Sequence, residues 1–394
     1  MRLVPRRVVH QGFRNWRQRR VTAAPVTPTS TRLRWRRELA LSGLAVVVGA
    51  FDLIAGSGWL REDLGFAASR KLDGIGQRTM VEWFWPFRPV AVPIHALIWL
   101  WPSPVVTLLL QTGLCALAAV LLYRLGCRHF DERTAFAAAA VWVVLPIHTT
   151  LSWWASGLYV TAALCAVLGG LLFDGRRGTF LLLAGTLCYE AVGACAIPYL
   201  IWRRRYASAV CVGGAVLWTR FFTPIADHGV WMSAAWMIQG TVGLGVGVLV
   251  GLIVLATARW KDTATRAGVI VLLVGLLPFV RYDDATFAGL GDRANCVAAI
   301  GVALILAANA RRYLPVVLAA LLALTAFRAI EYGRAAHATR TAVACASTQH
   351  GVVEVPRAGA GTVISINADW SAKQAAQYAT GDEHVTAVLT DQCP

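Results

Sequence analysis

Two carboxylates stand side by side at Glu62-Asp63, and a short way on come Arg88-Pro89 and His95. A carboxylate can draw a proton from an acceptor hydroxyl, or hold a divalent metal ion that does so. An arginine offers a planar fork of donors that fits a phosphate. The same residues also read as a solvated loop crossed by salt bridges. Further along lie Pro146-Ile147-His148, then Trp153-Trp154 and Ser156-Gly157, where His148 closes an apolar run. It reads as a site residue or as an interfacial hydrogen-bonder, and the tryptophans as an aromatic belt. Glu190 interrupts the apolar stretch from Leu181 to Pro198. A charge there is costly and needs a partner, either an arginine of a loop or a water-filled cavity. The last cluster is Arg281-Tyr282-Asp283-Asp284, then Gly291-Asp292-Arg293 just before another apolar block.

The elements that must position these residues are dictated by composition. Of 394 residues, 57% are hydrophobic and 15% charged, with a mean hydropathy of +0.57. A soluble chain carries about 25% charged residues. The apolar residues form unbroken blocks rather than stripes, so lipid is the solvent. The net charge of +16 could suggest a nucleic-acid partner, but its distribution argues against one. Eleven arginines fall within residues 1–37, before the first carboxylate at Glu38, and most others sit in tight clusters between apolar blocks. That is the pattern of loops on the cytoplasmic side of a membrane.

The blocks predict about eleven spans, near 39–56, 104–123, 134–148, 157–173, 179–189, 191–202, 207–223, 237–258, 266–280, 294–310 and 314–330. With the N-terminus inside, the inner loops hold Arg124, Arg128 and Arg133, then Arg176-Arg177, Arg203-Arg204-Arg205, Arg259 with Lys261 and Arg266, and Arg311-Arg312. The outer loops hold Asp63, Asp73, Glu82, Glu190, Asp227, Asp283, Asp284 and Asp292. This agreement requires two short spans over 179–202, with Glu190 at the turn between them. A single span there would reverse every later loop.

Three regions follow: a disordered basic tail over 1–37, a membrane domain over 38–330 with its working loop at 57–102, and a small extracytoplasmic α/β segment over 331–394. The first span reads as a retained signal anchor. The last segment alternates Val/Ile near 352–355, 362–366 and 385–389. It also holds Cys345 and Cys393, the two cysteines that lie away from spans. In an oxidising compartment these would form a disulfide, the alternative being two unpaired thiols. The other seven lie in or beside spans and serve as small apolar fillers.

Taken in order, these pieces resemble the GT-C superfamily of membrane glycosyltransferases, in particular the membrane part of the tetratricopeptide-bearing O-mannosyltransferases. The resemblance rests on Glu62-Asp63, Arg88-Pro89-Val90, Pro146-Ile147-His148, Tyr189-Glu190 and Asp292-Arg293-Ala294, and covers roughly residues 39–310. The chain has Glu-Asp for the usual double aspartate, Tyr189 for a lysine, no tyrosine after Arg293, and no tetratricopeptide repeats. The resemblance implies an all-α polytopic fold in the plasma membrane and an inverting transfer of sugar. The donor would be a polyprenyl-phosphate-linked sugar, and the acceptor, on the outer face, is not specified. It implies Asp63 as base or metal ligand with Glu62 beside it. Arg88, His148 and Arg293 would surround the donor phosphate, supported by Glu190 and Asp292. The rival classes are a transporter or lipid flippase, and a non-catalytic relative or scaffold.

Overall fold

Where lipid is the solvent, a backbone must satisfy its own N–H and C=O groups, and long apolar runs therefore become helices. The computed structural model describes residues 28–60, 63, 67, 85–86, 88–100, 103–153, 157–222, 259–277, 296–349, 351–361, 363–367 and 369–393. The chain divides into two compact units, Met1–Ala40 and Leu41–Pro394. It is mostly helical: α1 (Pro28–Ala55), α2 (Ala91–Leu100), α3 (Pro104–Gly126), α4 (Glu132–Val143), α5 (Ile147–Trp153), α6 (Gly157–Leu172), α7 (Gly175–Cys188), α8 (Glu190–Trp202), α9 (Tyr206–Phe222), α10 (Thr263–Leu276), α11 (Cys296–Asn309) and α12 (Leu314–Ser347). The α1 helix starts at Pro28, so residues 28–37 are helical where the basic composition had predicted disorder.

Among the described residues, three helices are long and apolar enough to cross a membrane, within Leu33–Ala55, Pro104–Gly126 and Arg311–Ser347. A fourth arises if α4 and α5, bent by 55° at Pro146, are taken as one span. Shorter apolar helices occupy Gly157–Leu172, Glu190–Trp202, Thr263–Leu276 and Cys296–Asn309. The expected span at 237–258 lies outside the described residues.

The break expected between 179–189 and 191–202 is present. Tyr189 is extended between α7 and α8, with φ −153° and ψ 103°. The two helices fold back on each other, since a side chain at Gly193 would collide with Thr186. Tight small-residue contacts recur elsewhere: a Cβ at Gly275 in α10 would lie 2.5 Å from the Ala298 backbone nitrogen in α11. Helices in lipid gain their attraction from such close packing, not from apolar burial.

The basic loops gather at one end of this bundle. Arg128 donates to the Leu172 carbonyl at 2.5 Å, and His129 lies 2.9 Å from the Tyr199 hydroxyl. Arg205 donates to the Gly170 carbonyl at 3.0 Å. Arg311 reaches Asp131 at 3.1 Å, and the Arg259 backbone reaches Asn309 at 2.7 Å. The loops near 128, 172, 204, 259 and 311 are thereby linked to one another. Asp131 and Asp262 also cap the starts of α4 and α10 there, accepting from the Thr134 and Thr265 backbone N–H groups. Arg88, Glu190 and the α1–α5–α12 contacts lie at the opposite end.

The last helix differs most from expectation. The apolar run stops near 330, but α12 continues to Ser347. Tyr332, Ala335, Ala336, Thr339, Ala342 and Ala346 are buried along that extension, so one stripe is covered while the other faces are polar. Gly333 meets the Ala55 carbonyl too closely to admit a side chain, and Gly58 meets Ala336 likewise. The boundary expected at 330/331 therefore falls inside a helix.

Beyond it stand β1 (Val353–Pro356), β2 (Ala358–Ala360), β3 (Val363–Ile366), α13 (Asp369–Thr380) and β4 (Ala387–Thr390). β1 pairs with β4 in parallel, and β2 with β3 antiparallel. Val353, Val355, Ile366, Ala372, Ala375 and Ala376 form a small separate core with the end of α12. Cys345 and Cys393 are joined in a disulfide, with Cα atoms 6.1 Å apart across 48 residues.

Candidate functional site

Ionisable side chains are buried at the end of the bundle opposite the basic loops. Arg88 enters just before α2, whose first turn is set by the Ala91 N–H donating to the Arg88 carbonyl. Its guanidinium forks onto Glu190 at the start of α8, with Nε to Oε2 at 2.9 Å and Nη2 to Oε1 at 3.0 Å. The Tyr189 ring lies 4.7 Å from the guanidinium carbon and the Tyr159 ring 5.7 Å. Burial works against the charge of Arg88, but Glu190 outweighs it and leaves the arginine held above its ordinary pKa. The partner that Glu190 required is thus the loop arginine. Arg88 turns its Nε and Nη2 to a carboxylate of its own chain.

His95, one turn into α2, sits 5.1 Å from the Tyr159 ring. Burial first, and then the charge of Arg88, push its pKa down to about 4, so its ring is neutral at neutral pH.

A second group forms where α1, α5 and α12 meet. Trp153 donates its indole N–H to Asp52 at 3.0 Å, and its ring stacks on Tyr332 at 5.9 Å. Leu60, Trp153, Tyr332, Ala335, Ala336 and Val363 form one apolar cluster. Asp63 follows directly: it is fully buried, and its backbone N–H donates to the Leu60 carbonyl at 3.0 Å. Arg328 of α12, also buried, pairs with Glu331 at 2.8 Å and lies 5.3 Å from the Tyr332 ring. Trp153 and Ser152 share a small cleft with Gly58, Trp59 and Thr107, with room for about one water molecule.

His148 lies deeper. Its Nδ1 is 3.7 Å from the Cys115 sulfur, and its ring packs edge-on against Trp142 at 4.2 Å. Beside it, Gln111 donates to the Thr161 hydroxyl at 2.6 Å. His148 is fully enclosed by these neighbours, so it belongs to the packed interior and not to a loop surface.

Two buried ionisable residues are not marked by the sequence pattern. Asp52 and Arg328 lie inside the runs assigned to the first and last spans, where an isolated charge is itself a signal of function or pairing. Of the expected residues, Asp63, Arg88, His148 and Glu190 are brought to this end of the bundle. Glu62, Asp292 and Arg293 lie outside the described residues. Among the described residues no group of three or more His, Cys, Asp or Glu side chains converges as a metal site. The metal expectation rested on Asp63 with Glu62.

No family model, no curated protein and no solved structure matches this chain.

Proposed function

We propose that the chain is a membrane-embedded glycosyltransferase that takes a sugar from a polyprenyl-phosphate carrier. The observation that supports this reading is the full burial of Asp63, three residues past the Leu60 that packs with Trp153 and Tyr332, at the end of the bundle away from the basic loops. A buried carboxylate near a membrane surface is costly unless it serves chemistry or pairing. The end away from the basic loops is the outer one by the positive-inside rule. In this reading about eleven short and long spans make a GT-C-like bundle in the plasma membrane, with the C-terminal segment outside.

Asp63 is the base that removes the proton from the acceptor hydroxyl as that oxygen displaces the lipid phosphate from the anomeric carbon, which inverts. The proton goes to Asp63 and the phosphate leaves with the lipid. Arg293 meets the donor phosphate, while Arg88 holds Glu190 and so fixes the turn between α7 and α8 beside the site. His148, enclosed in the interior, shapes the wall below the site.

The test uses membranes carrying the wild-type chain or Asp63→Asn, with a panel of radiolabelled polyprenyl-phosphate sugars. Transfer of at least one sugar by the wild type, lost in an equally inserted Asp63→Asn, is the expected result. Full transfer by Asp63→Asn removes it from the mechanism, and no transfer from any donor by the wild type sinks the reading.

A further inference from the structure

At the basic end, the turn between α8 and α9 carries three consecutive arginines, Arg203-Arg204-Arg205. Arg204 is the one non-glycine among the described residues with a positive φ, 56°. The turn is a complete helix stop. The Arg204 N–H donates to the Ile201 carbonyl at 3.0 Å and the Arg205 N–H to the Leu200 carbonyl at 2.8 Å. Glycine is the usual residue at that left-handed position, because a Cβ there costs about 1 kcal/mol or more. The arginine held in it therefore carries a backbone cost that glycine would not.

The Arg204 side chain is exposed, and a facing loop closes on the turn that carries it. His129, from the loop between α3 and α4, bonds Tyr199 and lies 5.5 Å from the Trp202 ring. Burial, then the charges of Arg203 and Arg128, disfavour its protonation, and Arg128 from the same loop donates to the Leu172 carbonyl at 2.5 Å. Among the described residues, neither Arg128 nor Arg203 nor Arg204 pairs with a carboxylate. Asp174 is 3.9 Å from Arg205 and itself largely exposed. Three of these four arginines thus have no carboxylate partner among the described residues, and Arg205 has a distant one. Around them, Ile201, Trp202, Tyr206 and Phe173 are exposed.

We propose that Arg203 and Arg204, with Arg128 from the facing loop, bind the phosphate headgroup of an anionic phospholipid in the leaflet at this end. The cationic forks match a phosphodiester, and the exposed aromatic and aliphatic rim matches the glycerol and upper acyl region where such side chains concentrate. A soluble phosphate would gain nothing from that rim. The site lies at the far end of the bundle from Asp63 and does not rest on the transfer reaction.

The full chain, purified in a neutral detergent, is unfolded thermally with added dioleoyl phosphatidylglycerol, dioleoyl phosphatidylcholine or inorganic phosphate. Phosphatidylglycerol is expected to raise the wild-type midpoint by several degrees, because a ligand that binds only the folded state stabilises it. The other two additives are expected not to. Arg204→Gly is expected to unfold no earlier than the wild type without lipid, since glycine fits the turn, and yet to lose more than half of the phosphatidylglycerol shift. Arg203→Ala/Arg204→Gly should lose nearly all of it, while Arg312→Ala, at the same end, keeps it. An undiminished shift in the double variant overturns the proposal. So does an equal shift with phosphatidylcholine or inorganic phosphate, or an equal loss in Arg312→Ala, which would mark a diffuse positive field.

Discussion

Arg88 and Glu190, 102 residues apart in sequence, meet as a two-pronged ion pair of 2.9 and 3.0 Å between tyrosine rings. Their side chains are 16% and 6% exposed, so neither charge has much water to fall back on. Removing one partner leaves the other buried without its two-pronged counter-charge, a loss of up to about 3–5 kcal/mol, whereas replacing both with apolar residues is far milder. Glu190→Gln and Arg88→Met should each lower the unfolding midpoint sharply in detergent, and the Arg88→Met/Glu190→Leu pair should recover most of it. Additive losses in the double variant would show that the two do not act as a unit.

Asp52 and Trp153 join α1 to α5 through one buried hydrogen bond of 3.0 Å. Asp52→Asn keeps an oxygen that can accept from the indole and is expected to change stability little. Asp52→Leu strands the indole N–H in an apolar setting and should cost about 1–3 kcal/mol. Tryptophan emission and thermal unfolding of the two variants read the difference. Equal effects from Asn and Leu would mean that the acceptor oxygen is not what joins the two helices.

Much of this arrangement was legible in residue types. The runs at 104–123, 191–202 and 207–223 became helices with nearly those bounds, because an apolar run in lipid has one backbone solution. Glu190 marked the turn at Tyr189, since a charge inside so short a run had to lie at an edge. The Val/Ile stretches near 352–355, 362–366 and 385–389 coincide with β1, β3 and β4. Run length cannot see a helix whose buried stripe is alanine and threonine, so the second half of α12 reads as a polar tail. β2 was hidden in the Gly-rich stretch at 358–360, and α13 in a polar segment with alanine at helical spacing. Asp52 and Arg328 are hidden because each sits in a run apolar enough to absorb one ionisable residue in a hydropathy average. Only a contact such as Trp153 on Asp52 singles them out. The pairing of Arg88 with Glu190 was open in the sequence, because spacing along the chain carries no information on which loop arginine reaches which turn.

Cys345, in the last turn of α12, and Cys393, just past β4, close a loop across 48 residues. The loop contains β1 to β4 and α13, a unit too small to bury much core of its own. Cross-linking a loop of that length stabilises by about 4 kcal/mol in the chain-entropy account. Cys393→Ser should let β4 leave β1 and open the segment after Gly351 to protease, while the helices up to Ser347 keep their midpoint. On intact cells, a membrane-impermeant maleimide should label the two cysteines only after reductant. Labelling only after permeabilisation would place this segment on the inner side, and labelling without reductant would rule out the bridge.

His95 ties stability to pH through its place in α2, 5.1 Å from the Tyr159 ring and near the Arg88 charge. Its pKa is about 4 in the folded chain against an ordinary 6.5, so the unfolded chain takes up the proton first. Below about 6.5 the unfolded state binds more protons than the folded one, and stability falls as pH drops until about 4, where both are protonated. One pH unit is worth at most about 1.4 kcal/mol, so the whole window accounts for about 3 kcal/mol. Denaturant midpoints across that window should therefore decline toward acid for the wild type and flatten for His95→Gln, which keeps a polar side chain of similar size without the titration. Arg88→Met removes the second of the two causes, leaving burial, and should shrink the decline without abolishing it. A slope unchanged in His95→Gln would assign the acid sensitivity to the carboxylates at this end of the bundle and not to the histidine.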